Sequence, residues 1–86
     1  SEAFAVYIRT DDMSPRYFRG ELAYIHPGRP PEVMKDCWIE FTDGTTRVFR
    51  LISQTDENIR VQRFNPFSEK NIPHEDIRHI FAVIGR

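Results

Sequence analysis

The residues of this chain that could bind a metal ion or a phosphate group are few and widely spaced. Three histidines (His26, His74 and His79) and one cysteine, Cys37, occur in 86 residues, and no two of them form a Cys-x-x-Cys or His-x-x-x-His pair. A zinc site needs about four converging ligands at such spacings, so no metal site is predicted. The four glycines form no cluster ahead of a helix, which excludes a P-loop or dinucleotide-binding fingerprint. We therefore expect neither a metal nor a cofactor.

Arginines interleaved with aromatic residues suggest a second kind of chemistry, the binding of single-stranded nucleic acid. Ten of the 12 basic residues are arginines, and aromatic residues make up 13% of the chain. Small β-barrels hold single strands by stacking bases on aromatic rings and by cationic contacts to the backbone. The arginines concerned are Arg16, Arg19, Arg47, Arg50, Arg60 and Arg63. Thirteen acidic residues are interleaved with them and the net charge is −1. We therefore favour a salt-bridged sheet surface, and keep a β-barrel that binds peptide or single-stranded nucleic acid as an alternative.

Apolar residues recur with a period of two along most of the chain, which is typical of β-strands rather than helices. Turn residues separate these runs: Pro15 and Gly20, the segment 26–32 with three prolines, Asp43-Gly44, and Asn65-Pro66. The pattern predicts about seven short strands, at residues 4–8, 22–25, 37–41, 47–52, 59–64, 70–73 and 78–85. Because no segment has amphipathic helical spacing, we expect an all-β domain, a small, highly twisted, barrel-like sheet.

Residues 11–25, DDMSPRYFRGELAYI, form the most distinctive segment. They resemble the C-terminal domain of the LexA and lambda-type phage repressor family. The self-cleaving peptidases of that family carry D-S-M-x-P, four further residues, then G-D/E and an apolar strand. The residues in register with that motif are Asp11, Met13, Pro15, Gly20 and Glu21. Looser similarity covers nearly the whole chain: VFRL at 48–51 resembles the family's Val-Lys-Arg-Leu, and 64–66 and 80–85 resemble its Asn-Pro turn and closing strand.

The two residues that carry the chemistry of that family are replaced in this chain. The resemblance implies a serine nucleophile at position 12 and a lysine base at position 49. In such a pair a neutral, desolvated lysine takes the proton of the serine. Asp12 and Phe49 stand there instead, so we expect a degenerate site and no enzymatic activity. The alternative is a self-cleaving peptidase with a displaced nucleophile, for which Ser14 is the candidate. The remaining motif residues are expected to be structural, with Met13 in the core and Asp11 or Asp12 capping the turn at 14–18.

The closing run, residues 80–84, is apolar on both faces. Ile80, Ala82 and Ile84 fall on one face, and Phe81 and Val83 fall on the other. A strand with two apolar faces lies either in the middle of a sheet or in an interface. The resemblance implies dimerisation through this C-terminal region. These five residues are therefore candidate interface residues, and a homodimer is expected.

Eighty-six residues suffice for one small domain, and we expect residues 1–86 to be a fragment of a longer repressor. The predicted function is that of a non-catalytic, regulatory, self-associating C-terminal domain of a phage-type transcriptional repressor. An upstream domain, expected to be a helix-turn-helix, would bind operator DNA, and the degenerate cleft would hold a linker segment as an added strand without cutting it. The single cysteine, the lack of a signal-peptide pattern and the lack of any run near ~20 apolar residues predict a cytoplasmic protein without membrane contact.

Overall fold

A computed structural model describes residues 2–86 and shows an almost entirely β-stranded chain. The seven strands are β1 (Phe4–Tyr7), β2 (Leu22–His26), β3 (Asp36–Phe41), β4 (Thr46–Gln54), β5 (Asn58–Phe64), β6 (Phe67–Pro73) and β7 (Ile77–Gly85). A single 3-10 turn, His74–Asp76, precedes β7, and the described part of the chain contains no helix that could span a membrane. The all-β prediction is confirmed. Strand β6 begins three residues earlier than predicted, because Asn65-Pro66 forms a tight hairpin turn and does not end the pairing.

All seven strands belong to one antiparallel sheet in the order β1-β2-β7-β3-β4-β5-β6. The sheet is twisted but does not close into a barrel, since β1 and β6 remain edge strands. The β3–β4 hairpin turns at Asp43-Gly44, as predicted. Gly44 has a φ of +89°, and the Asp43 carboxylate accepts hydrogen bonds from the Thr45 amide at 2.9 Å and the Thr45 hydroxyl at 2.7 Å.

The sheet has a hydrophobic core on each of its two faces. The first core comprises Ile8, Met13, Tyr17, Ala23, Ile25, Trp38 and Val48, and the second comprises Cys37, Ile39, Phe49, Leu51, Ile59, Val61 and Ile72. Successive side chains of a strand point to opposite faces, so the neighbours Cys37 and Trp38 belong to different cores. Burial in the second core raises the pKa of the Cys37 thiol to about 12.

Strand β7 is a central strand, which explains why its sequence is apolar on both faces. It lies between β2 and β3. Phe81 and Val83 pack against the first core, whereas Ile77 and Ile80 pack against the second. The Phe81 ring also stacks on Trp38 with 5.9 Å between the ring centroids. Two-sided packing is therefore sufficient to account for the apolar pattern of the closing strand.

Replacing Gly20 by alanine is expected to lower the free energy of unfolding by about 1–2 kcal/mol, because L-residues disfavour left-handed backbone. Gly20 has a φ of +92°, although the space around it is open. Urea denaturation measures the loss. Gly85→Ala is the matched control: it also adds a methyl group into open space, but at ordinary backbone angles, and should change stability by less than about 0.5 kcal/mol. Equal losses in the two variants would contradict this account.

Candidate functional site

The candidate site lies where the sheet splits between β4 and β5. These strands pair only through Arg50–Gln54 of β4, so residues 46–49 have no partner in β5. The loop between β1 and β2 enters this split. The carbonyl oxygen of Asp12 accepts hydrogen bonds from the backbone amides of Phe64 at 2.9 Å and Asn65 at 2.8 Å. The segment that resembles the peptidase motif thus continues the hydrogen bonding of the sheet where β4 leaves β5.

Asp12 and Phe49, the two positions that the resemblance assigns to a nucleophile and a base, line one cavity of about 240 Å³. One Asp12 carboxylate oxygen accepts a hydrogen bond from Arg47 Nη1 at 2.8 Å, and the other accepts one from the Thr10 hydroxyl. Phe49 is only 3% exposed and packs in the second core. The carboxylate is held in an ion pair, and a phenyl ring has no atom that can accept a proton.

Ser68 and Lys70 of β6 line the same cavity, although neither was predicted to be a site residue. The ammonium nitrogen of Lys70 lies 5.3 Å from the centroid of the Phe49 ring, a cation–π contact. Both side chains share the face of Val61 through the β5–β6 register. The period-two signal could have revealed them had the predicted β6 begun at Phe67. Lys70 is exposed, whereas a lysine base needs desolvation to lose its proton.

Ser14, the candidate for a displaced nucleophile, lies at the side of the site. Its hydroxyl oxygen accepts a hydrogen bond from Asn65 Nδ2 at 3.2 Å. It lines neither the small cavity nor the larger cavity described below. Among residues 2–86, no lysine hydrogen-bonds to it.

The remaining motif residues shape the loop. Met13 is fully buried in the first core, as predicted. The Asp11 carboxylate accepts a hydrogen bond from the Arg19 amide at 3.0 Å, and that of Glu21 accepts one from the Phe18 amide at 2.7 Å. The Asp11 carboxylate therefore binds the backbone at Arg19, whereas the prediction placed its cap within the turn at 14–18. Pro15 follows a cis peptide bond, and Gly20 supplies the positive φ before β2.

A buried carboxylate anchors this loop to the sheet. Asp36, at the start of β3, is 4% exposed and accepts hydrogen bonds from the Tyr17 hydroxyl at 2.7 Å and from Arg16 Nε. Burial, and then the hydrogen bond to Asp36, raise the pKa of Tyr17, while the hydrogen bond to Asp36 raises the pKa of Arg16. This anchor has no local signal in the sequence, because its polar residues occur in two separate segments.

A larger cavity of about 540 Å³ lies between the outer edge of β1 and the unpaired half of β4. The Ile8 amide donates to Glu21 and its carbonyl accepts from Gly20, both at 2.8 Å, so both Ile8 groups face β2. Because the C=O and N–H of a trans peptide point in opposite directions, the Tyr7 carbonyl and the Arg9 amide point away from β2, and both residues line this cavity.

The opposite wall of the larger cavity is also an unpaired strand edge. Leu51 exchanges backbone hydrogen bonds with Lys35 at 2.9 Å and Met34 at 2.6 Å, so its peptide groups face the β3 side. By alternation, those of Thr46 and Val48 face the split, and both residues line the cavity. We call this cavity the strand slot, since an extended segment within it would find hydrogen-bonding groups on both walls.

The candidate interface residues of β7 differ in accessibility. Ala82 is buried, Ile80, Phe81 and Val83 are half-buried, and Ile84 is 42% exposed. Ile84 lies at the register shift between β2 and β7, between Val83, which pairs with Ile25, and Gly85, which pairs with Tyr24. Tyr24 lies between the buried Ala23 and Ile25 and so points to the opposite face of β2. We call Tyr7, Leu22, Tyr24 and Ile84 the outer patch.

Ion pairs and a stacking contact occupy several of the arginines singled out in the sequence. The pairs are Arg16 with Asp36, Arg47 with Asp12 at 2.8 Å and Arg60 with Glu69 at 2.9 Å. Arg50 lies over the Phe64 ring at 5.4 Å. These contacts agree with a salt-bridged sheet surface. No group of three metal-ligating side chains occurs among residues 2–86.

Comparison with known proteins gives one informative similarity. No family model matches the chain, and no solved structure matches it. The chain is similar to Repressor protein C of Rhizobium phage 16-3, with 28% identity over 90 residues. The match covers 95% of this chain and 34% of the relative, so the chain spans about a third of the length of that repressor.

Replacing Asp36 by alanine is expected to lower the free energy of unfolding by about 3 kcal/mol, because the buried Tyr17 hydroxyl loses its acceptor and Arg16 its counter-ion. Denaturant unfolding followed by the fluorescence of Trp38 measures this. Glu40→Ala on the same strand is the control. Its carboxylate pairs with Arg78 at 3.5 Å nearer the surface, so its loss should stay below about 1 kcal/mol. Comparable losses in both variants would refute the anchoring role.

Proposed function

We propose that this chain is the non-catalytic, self-associating C-terminal domain of a phage-type transcriptional repressor of the LexA type. The motif from Asp11 to Glu21 and the similarity to a phage repressor protein support the assignment. The observation that carries the self-association role is the outer patch, a set of large apolar side chains left exposed on β1, β2 and the end of β7.

The composition of the outer patch suits a second copy of the same chain. Its four residues carry no charge, so a two-fold axis through the patch would bring no like charges together. Two are tyrosines, and aromatic residues are enriched in protein interfaces. Tyr24 and Ile84 are each 42% exposed, so pairing would remove apolar surface from water.

Loss of catalysis is supported by the chemistry of the small cavity. A carboxylate that attacks an amide forms an anhydride, which is a poor intermediate, and Asp12 is already paired with Arg47. Phe49 fills the base position with a buried ring and avoids the cost of burying an amine.

Self-association would serve DNA binding by a separate domain of the repressor. Two copies held together place two DNA readers on one operator, and binding of the first raises the effective concentration of the second. Affinity for the operator then rises without any new contact to the bases. The proposed task of this chain is therefore to pair repressor molecules.

Tyr24→Arg and Ile84→Arg are each expected to shift the chain towards monomer, because each places like charges face to face across a two-fold interface. Sedimentation equilibrium over a concentration series should give an association constant at least about tenfold weaker than for the unaltered chain. Phe67→Arg is the matched control. Phe67 is 62% exposed at the β5–β6 turn, away from the patch, and its variant should associate normally. A monomeric unaltered chain, or equal weakening by Phe67→Arg, would overturn the proposal.

A peptidase with a displaced nucleophile is the competing hypothesis, and it predicts a reactive serine. We expect no covalent adduct when the chain is incubated at alkaline pH with a fluorophosphonate probe, because Ser14 and Ser68 lack a buried lysine partner. Intact-mass spectrometry measures the adduct. An adduct that forms on the unaltered chain and is lost in Ser14→Ala or Ser68→Ala would instead support a peptidase with that serine as its nucleophile.

A further inference from the structure

The small cavity has an excess of positive charge. Its charged lining residues are three cations, Arg47, Arg63 and Lys70, and one anion, Asp12. Arg47 and Asp12 pair with each other, which leaves two cations facing the cavity. The whole chain has a net charge of −1, so this local excess does not reflect a generally basic surface.

Neither Arg63 nor Lys70 has an acidic partner in the part of the chain described. Arg63 Nε is buried and has no hydrogen-bond partner there. The nearest acid in the sequence, Glu69, points to the other face of the β5–β6 hairpin, where it accepts hydrogen bonds from Arg60 at 2.9 Å and Gln62 at 2.6 Å. A buried guanidinium nitrogen without an acceptor is costly, and an anion in the cavity would supply that acceptor.

The small cavity adjoins the strand slot. Asp12 and Arg47 line both, so they form a shared wall. A peptide extended along the slot would meet the outward peptide groups of Tyr7 and Arg9 on one side and those of Thr46 and Val48 on the other. One of its side chains could then reach past Asp12 into the small cavity. The floor there is the Phe49 ring, with Ser68 beside it as a hydroxyl donor.

We propose that the small cavity binds the carboxylate of an acidic side chain carried by an extended peptide in the strand slot. Arg63 and Lys70 provide the charge, Ser68 provides a neutral hydrogen bond, and Phe49 contacts the aliphatic part of the side chain. The proposal does not depend on self-association, because the residues that would bind the carboxylate lie outside the outer patch, and the strand slot shares only Tyr7 with that patch. The proposal gives the small cavity a preference for an acidic ligand. The earlier expectation was only that a linker segment would be held without being cut.

The test is a titration of the isotopically labelled chain followed by backbone amide signals. The probes are two capped tripeptides, acetyl-Val-Glu-Val-methylamide and acetyl-Val-Gln-Val-methylamide, and inorganic phosphate. We expect the glutamate peptide to shift the signals of Phe49, Arg63 and Lys70 saturably, and the glutamine peptide to bind at least about tenfold more weakly. Added salt should weaken the binding of the glutamate peptide more than that of the glutamine peptide.

Lys70→Gln is the main variant, since Lys70 is exposed and its loss should not unfold the chain. This variant should bind the glutamate peptide about tenfold more weakly, with an affinity close to that for the glutamine peptide. Arg60→Gln is the matched control on the opposite face and should bind normally. Equal binding of the two peptides, no saturable shift, or equal weakening by Arg60→Gln would overturn the proposal. Tighter binding of phosphate at the same signals would also overturn it and assign the cavity to phosphate.

Discussion

Two backbone hydrogen bonds to the carbonyl oxygen of Asp12 fix the loop on which the rest of the site depends. They come from Phe64 and Asn65, at the end of β5, and they seat the β1–β2 loop in the split between β4 and β5. With the loop in place, Met13 fills the first core, Arg47 finds a carboxylate, and the two cavities acquire a common wall. The buried contact from Asp36 to Tyr17 secures the other end of the same loop.

The strands and their turns could be predicted from the sequence because their signals are local. Alternating apolar residues, Asp43-Gly44 and Asn65-Pro66 mark strands and turns without reference to distant residues. The pairing of Asp36 with Tyr17 could not be predicted, because it joins segments 19 positions apart. The same holds for Lys70 over Phe49, where a residue of β6 meets one of β4 across the intervening β5. The family resemblance pairs Asp12 with Phe49 as motif positions, and the structure places both residues at one cavity.

Phe49, at the position that the family resemblance assigns to a base, is held by ordinary packing. An amine at this depth would need its charge removed or matched, whereas a phenyl ring joins Leu51 and Val61 in the second core. The ammonium nitrogen of Lys70 lies 5.3 Å from the centroid of the Phe49 ring, and Lys70 belongs to β6, beyond the intervening β5, and is exposed. The cavity therefore combines a cation with an apolar floor, and the proposed binding of an acidic side chain rests on that combination.

The inserted loop also covers backbone that would otherwise attract foreign strands. Unpaired strand edges template aggregation and strand exchange, and natural sheets cover or interrupt them. At the end of β5 the Asp12 carbonyl occupies donors that a neighbouring molecule could otherwise take. Residues 11–21 thus cover a part of the sheet edge that could pair with another molecule. Covering it requires the shape of the loop and no reactive side chain. In a related sequence, a motif of this kind therefore indicates a covered sheet edge. Whether the site is reactive depends separately on which residue stands at position 12.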